Sequence, residues 1–384
     1  MADWTSVTLG QVCADGVIQT GPFGSQLHAE DYVAAGVPVV MPANIASGRI
    51  EESGIARITE ADAVRLSRHR MKVGDIVYSR RGDITRCARI TQREAGWLCG
   101  TGCLLVRPGS GADHRWLAYW LSTPWTHEWL YRHAVGATML NLNTSILASL
   151  PVDLPPVEDQ RRIGALLGAL DDLIEVNRDV NRYTANLQLA IFARHWDGEQ
   201  RERLVDVAAI TMGQSPPGDT YNESGEGTVF YQGTRDFGWR FPGRRVWTSQ
   251  PSRMAGAGDI LVSVRAPVGE VNVATEDTAL GRGVGALRAV GRPATLLQAL
   301  LVDSQLWDMH QGTGTVFASV NRAGMENLMV PWVECDDVES TLAVLDDSIL
   351  ELTRESEDLV RARDELLPLL MSGRVRVSED FEVA

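Results

Sequence analysis

The sequence predicts an α+β protein: two tandem globular domains of mixed β-sheet with small helices, separated by two long helices that pair as an antiparallel coiled coil. Three observations predict it. Two stretches carry heptad seams, the second seam echoes the first, and the segments ahead of them repeat one another in order.

The first long helix is predicted from Pro155 to Trp196. Apolar or small residues recur at Ile163, Leu166, Leu170, Leu173, Asn177, Val180, Thr184, Leu187 and Ile191, in alternating steps of three and four. Pro155 and Pro156 suit a first turn, where a fixed φ helps and no N–H is needed. Glu158 and Asp159 set negative charge at the positive end of the helix dipole. At ~1.5 Å per residue the rod is about 58 Å long. Its stripe is narrow, so it needs a long partner. The partner begins at Val338, with a seam of Leu342, Leu345, Ile349, Leu352, Ser356, Leu359, Arg363, Leu366 and Leu370. Leu170-Asp171-Asp172 returns as Leu345-Asp346-Asp347. Asn177, Thr184, Ser356 and Arg363 interrupt the seams, and polar seam positions fix register at a cost in stability.

Residues 4–152 open with a predicted strand from Ser6 to Val12. A loop at Gly21-Pro22 and Gly24 leads to a β run from Val37 to Met41, which ends at Asn44. Ile76 to Ser79 reads as a strand that delivers Arg80 and Arg81. Gly100 opens a strand through Arg107, His114 to His133 reads as one helix, and Gly136 to Asn143 as a polar loop. Residues 201–333 repeat this plan, with an opening strand from Leu204 to Thr211. Gly74-Asp75-Ile76 through Arg81 matches Gly258-Asp259-Ile260 through Arg265. Gly100-x-Gly102…Arg107 matches Gly281-x-Gly283…Arg288. The polar loop matches Gly314–Asn321, and Leu150-x-Val152 matches Leu328-x-Val330. A period of about 180 residues is far too long for a solenoid and means duplicated domains. A duplicated reader on a rigid spacer points to a split target.

Composition narrows the class. The 384 residues allow two or three domains with cores of their own. No run of about 18 apolar residues occurs, so no transmembrane helix is expected. No basic segment followed by an apolar core opens the chain, so a cytoplasmic protein is expected. The five cysteines, Cys13, Cys87, Cys99, Cys103 and Cys335, lack zinc-type spacing and read as free thiols. The net charge of −14 lies in the helices and the tail; residues 1–152 and 201–333 are nearly balanced. Their cations are almost all arginine, whose planar fork suits guanine edges and phosphates.

The chain resembles the specificity subunit of Type I restriction–modification systems over nearly its whole length. The resemblance is carried by Gly21-Pro22-Phe23-Gly24-Ser25, Gly36-Val37-Pro38 and Gly74-Asp75-Ile76. It continues through Leu154-Pro155-Pro156-Val157-Glu158-Asp159-Gln160-Arg161-Arg162-Ile163, and in the second half through Gly213-Gln214-Ser215-Pro216-Pro217, Tyr221-Asn222 and Leu366 to Val375. It implies target-recognition domains at 1–152 and 201–333, long helices at 153–200 and 334–373, and a tail at 374–384. Each domain is then expected to read one half of an interrupted double-stranded DNA site. The helices are expected to set the gap and dock two methyltransferase subunits, which restriction subunits join. The second helix departs from the pattern: its approach, Val330-Pro331-Trp332-Val333-Glu334-Cys335, has neither Pro-Pro nor Gln-Arg-Arg.

No catalytic constellation emerges. Ser215-Pro216-Pro217-Gly218 lacks the aromatic of an amino-methyltransferase motif, and Gly281 to Gly285 lacks a Walker lysine. His114, His127 and His133 read as structural residues of a Trp-rich helix. The chain is therefore expected to be non-catalytic and to bind no cofactor; the resemblance implies S-adenosylmethionine, ATP and Mg on partner subunits. The rival reading is a scaffold whose duplicated domains bind protein. Candidate DNA contacts are Gln26, Asn44, Arg80, Arg81, Arg86 and Asn141 in the first domain. Those in the second are Gln232, Arg235, Arg265, Arg282 and Asn321. Arginines suit phosphates and guanine, and amides suit adenine edges. Arg81 and Arg265 hold equivalent repeat positions. A group shared by two domains that read different half-sites cannot carry their difference, so phosphate positioning is expected of both.

Overall fold

A computed structural model describes residues 4–46, 48–136, 139–308 and 319–378. The chain folds as two units, Met1–Glu175 with Ser356–Ala384, and Val176–Glu355, each holding one globular domain and part of both long helices.

In the first unit, strand Thr5–Thr8 pairs antiparallel with Pro151–Leu154 and so joins the two ends of the domain. The expected opening strand stops at Thr8 because a capping box starts a short helix, Leu9–Val12. The Thr8 hydroxyl accepts from the Gln11 N–H at 3.3 Å, and Gln11 Oε1 accepts from the Thr8 N–H at 2.8 Å. An antiparallel sheet follows in the order Val17–Thr20, Cys103–Arg107, Ile76–Ser79, Cys87–Arg89. A second sheet, Leu98–Cys99, Val37–Val40, Ala56–Ile58, Tyr32–Val33, contains one parallel pair. The helix expected from His114 to His133 is two, His114–Leu121 and Pro124–His133. The Thr123 hydroxyl accepts from the Thr126 N–H and Pro124 fills a first-turn position, so Thr-Pro begins a new helix. Leu104, Trp116 and Leu117 pack in one core with Ile163 and Leu167 of the first long helix and Leu370 of the second.

The second unit has the same plan. Arg201–Arg203 pairs with Met329–Pro331, and Leu204–Val207 is a short helix rather than the start of a strand. Ala208–Met212, Val284–Ala289, Ile260–Ser263 and Val271–Val273 form the antiparallel sheet. A five-stranded sheet adds Tyr221–Asn222, Trp247–Thr248, Thr228–Tyr231, Thr278–Leu280 and Met254–Ala255. The repeated Gly-Asp-Ile motifs perform one structural task twice. Asp75 accepts the Lys72 N–H at 2.7 Å and takes Arg107 through two bonds of 2.7 and 2.6 Å. Asp259 accepts the Gly256 N–H at 2.7 Å and takes Arg288 through bonds of 2.8 and 2.9 Å. The motif's acid thus turns the chain and fastens two neighbouring strands.

The long helices run Val157–His195 and Asp336–Met371, and within each unit they pair antiparallel. In the first unit, Arg363 Nη1 donates to Asp171 Oδ1 at 2.7 Å. In the second, Asn177 Nδ2 donates to Glu355 Oε2 at 3.0 Å, Asn181 Nδ2 to Thr353 Oγ1 at 3.1 Å, and Gln188 Nε2 to Asp346 Oδ1 at 2.9 Å. Phe192 shares a core with Leu342. Half of the expected first seam is corrected. Ile163 and Asn177 are buried and Leu166 and Leu170 half-buried, but Leu173 is 40% and Leu187 51% exposed. The buried column lies one residue on, at Leu167, Ile174, Asn181 and Gln188. Hydrophobicity alone favours the leucines. Asn181 and Gln188 win because each finds a polar partner across the seam, whereas a buried polar group without one costs about 1–3 kcal/mol. On the second helix Leu342 and Ile349 are buried, and Leu345, Leu352, Leu359 and Leu366 are half-buried. All five cysteines are free; four are buried and Cys335 is half-buried. Among the described residues no helix is long and apolar enough to cross a membrane.

Candidate nucleic-acid interface

The best-defined candidate positions lie where a buried sheet strand surfaces. Ile76–Ser79 and Ile260–Ser263 are wholly buried. The next residue is held on both sides: the Arg80 N–H donates to Gly102 O at 2.8 Å and Arg80 O accepts from the Leu142 N–H at 2.9 Å. Val264 makes the same two bonds, to Gly283 O at 2.9 Å and from the Val320 N–H at 3.1 Å. One residue later come Arg81 and Arg265, both exposed, bridged through their backbones to Asn141 and Ser319. The approach requires glycine. A Cβ on Gly21 would lie 2.0 Å from Gly100 O, and one on Gly213 2.1 Å from Gly281 O. The motif glycines therefore let two loops close beside each arginine-bearing strand end.

The other candidates divide by what already occupies them. Arg80 and Asn141 are brought together: Arg80 Nε donates to Asn141 Oδ1 at 3.2 Å and to Leu142 O at 3.0 Å. The Arg80 guanidinium also stands 5.9 Å over the exposed ring of Phe23. Arg86 Nε donates to Asp83 at 3.1 Å, and the Thr85 hydroxyl, then Arg86, holds the Asp83 carboxyl below its ordinary range. Gln26 Oε1 accepts the Phe23 N–H at 3.1 Å and shapes that loop. Two expectations are corrected. Asn44 is buried, accepting the Met41 N–H and donating to Glu51 O, so it builds a turn. Asn321 caps helix Arg322–Glu326 by accepting the Gly324 N–H at 2.8 Å, as Asn143 caps Thr144–Ala148. Short polar side chains before a helix serve capping first.

Gln232, Arg235 and Arg282 are exposed in the second unit. Arg235 sits on the 3₁₀ turn Thr234–Asp236, and the Arg282 N–H reaches Ser215 Oγ at 3.3 Å. Ala137, Thr138 and residues 309–318 lie outside the described residues, so the two polar loops are described only at Gly136, 139–143 and 319–321. Two exposed aromatics belong beside these cations and were not among the candidates: Phe23, and Trp239 on the Arg235 loop, 58% exposed. Their signal was an aromatic next to glycine in a polar loop, Phe23-Gly24 and Gly238-Trp239.

Residues 1–182 match the family model described as Type I restriction modification DNA specificity domain. The putative type I restriction enzyme MjaX specificity subunit of Methanocaldococcus jannaschii is 24% identical over 373 residues, covering 89% of this chain and 88% of that protein. The S subunit of a Type-I restriction-modification system from M. genitalium aligns over 96% of both chains at TM-score 0.64 and 15% identity, a likeness of fold. The HsdS subunit from Thermoanaerobacter tengcongensis aligns over 97% of both chains at TM-score 0.36 and 24% identity. Residues 1–182 thus resemble a Type I restriction modification DNA specificity domain, and a type I specificity subunit aligns along nearly nine-tenths of the chain.

Proposed function

We propose that the first unit's globular domain reads one half of an interrupted double-stranded DNA site and the second unit's domain the other. Arg81 and Arg265 position phosphates, while residues that differ between the domains discriminate bases. The observation that carries this is the duplication of one exposed arginine at the same strand end, beside loops that differ in sequence. Phosphate contacts set register and base contacts set sequence, so shared cations with divergent surroundings fit two half-sites of unlike sequence.

The long helices dock two methyltransferase subunits and set the gap between half-sites. Docking is supported by Val176, Val180, Tyr183 and Leu187, all exposed on the first helix in steps of four, three and four. A run of that spacing is a helix seam left uncovered among the described residues. Methyl transfer from S-adenosylmethionine then belongs to those partners, and ATP- and Mg-dependent cleavage to restriction subunits that join them in the cytoplasm. The test is methylome sequencing after co-expression with the neighbouring methyltransferase gene. A two-part motif with one spacer length, absent when either gene is omitted, is expected. An assembled complex that binds no DNA and marks no motif would favour a protein-binding scaffold instead.

A further inference from the structure

Beside the exposed Trp239 sits a buried cation. Arg240 lies in the loop between strands Thr228–Tyr231 and Trp247–Thr248 and is 5% exposed. The loop backbone is fixed first. Asn272, buried on strand Val271–Val273, accepts the Gly238 N–H and donates to Gly238 O, both at 3.0 Å. The Val273 N–H donates to Arg240 O at 2.9 Å. So aimed, the side chain leaves its own domain. Its Nη2 donates to Gln188 Oε1 at 3.0 Å, and Gln188 Nε2 in turn donates to Leu342 O at 3.1 Å and Asp346 Oδ1 at 2.9 Å. One buried chain of bonds thus runs from the recognition loop through the first long helix to the second. Burying an arginine costs several kcal/mol unless the geometry is good. Burial lowers the Arg240 pKa and raises that of Asp346, against the opposing pull of each on the other. Glu339 and Asp347 also face Asp346.

The first unit has a junction of the same plan. Asp171 occupies the repeat position of Asp346, and Arg363 that of Gln188. Asp171 accepts from Arg363 on the second helix and from the Tyr119 hydroxyl of helix His114–Leu121. Both domains are therefore fastened to equivalent points of the paired helices, by different donors. A fastening repeated with unlike residues has a use beyond filling one core.

We infer that Arg240 is a specificity-determining residue that touches no base: it locks the second recognition domain onto the paired helices and so fixes the spacer length the complex accepts. This rests on the reading of a two-part site. The parent complex is therefore sequenced first, and a parent motif without two halves would refute that reading and not this one. Given a two-part motif, Arg240→Met and Gln188→Ala cut the link from either end, one removing the buried cation and the other leaving the loop sequence unaltered. Methylomes of both complexes are expected to keep both half-site sequences. Methylation at sites one base pair longer or shorter should rise about tenfold over the parent. Arg240→Lys, which keeps a donor and a charge, should restore a single spacer. Three results would overturn the inference: a single spacer in both cutting variants at full activity, a proportional loss at every site with a lowered unfolding midpoint, or a changed second half-site.

Discussion

Asp75 and Asp259 show how little of a residue's work its identity announces. Each belongs to a Gly-Asp-Ile motif, each turns the chain, and each holds the arginine that faces it on the neighbouring strand. They differ in depth: the Asp75 side chain is 1% exposed against 27% for Arg107, whereas Arg288 is 66% exposed beside Asp259. Breaking a buried ion pair strands a charge, so Asp75→Ala should cost about 3 kcal/mol. The exposed geometry of Arg288 predicts a much smaller loss for Asp259→Ala, because solvent screens that pair. Thermal unfolding of the two variants checks the order, and equal losses would contradict it. At Arg81 and Arg265 the interest is binding. Changing either to Ala should weaken DNA binding by the assembled complex on all sequences and reduce the salt slope by about one unit. An altered methylation motif with an unchanged slope would assign that arginine to base readout.

At the scale of elements, the paired helices carry the clearest lesson about reading a sequence. Both helices, their partnership and the polar breaks at Asn177 and Arg363 were legible, because a heptad repeats often enough to outweigh local noise. The burial of Asn181 and Gln188 was not, since no rule of hydrophobicity ranks them above Leu187. Their partners, Thr353 and Asp346, sit more than 150 positions away in the sequence. Likewise the strand ends bearing Arg81 and Arg265 were legible as repeats. The capping role of Asn321 and the burial of Asn44 were hidden, because an amide reads alike in a turn, a cap or an open loop. Asn181 offers a test. Its Nδ2 reaches Thr353, but its Oδ1 is buried without a partner among the described residues. Asn181→Leu should therefore stabilise the chain by about 1–2 kcal/mol, raising the unfolding midpoint by several degrees. A lowered midpoint would mean that the amide is worth more in place than an apolar contact.

For the whole molecule, the helices are the expected source of the distance between half-sites. Inserting four residues after Val180 lengthens the first helix by about 6 Å and leaves the following segment only some 40° out of phase. The expected methylation motif keeps both half-sites and gains a longer gap, by one or two base pairs at ~3.4 Å each. An active variant with the parental gap would show that spacing is set elsewhere. The unlike junctions of the two units also bear on chimeras. Domains built to one plan invite transplantation between the two positions, but the fastening points do not offer the same chemistry. The first position already holds a cation, Arg363, on Asp171, and welcomes a hydroxyl such as that of Tyr119. The second offers the neutral Gln188 and admits Arg240. A graft of the second domain into the first position would press one arginine against another, and the reverse graft would leave Gln188 without its donor. Exchange that succeeds should therefore carry its helix residues along, so the transferable module is the domain together with the short piece of helix that receives it.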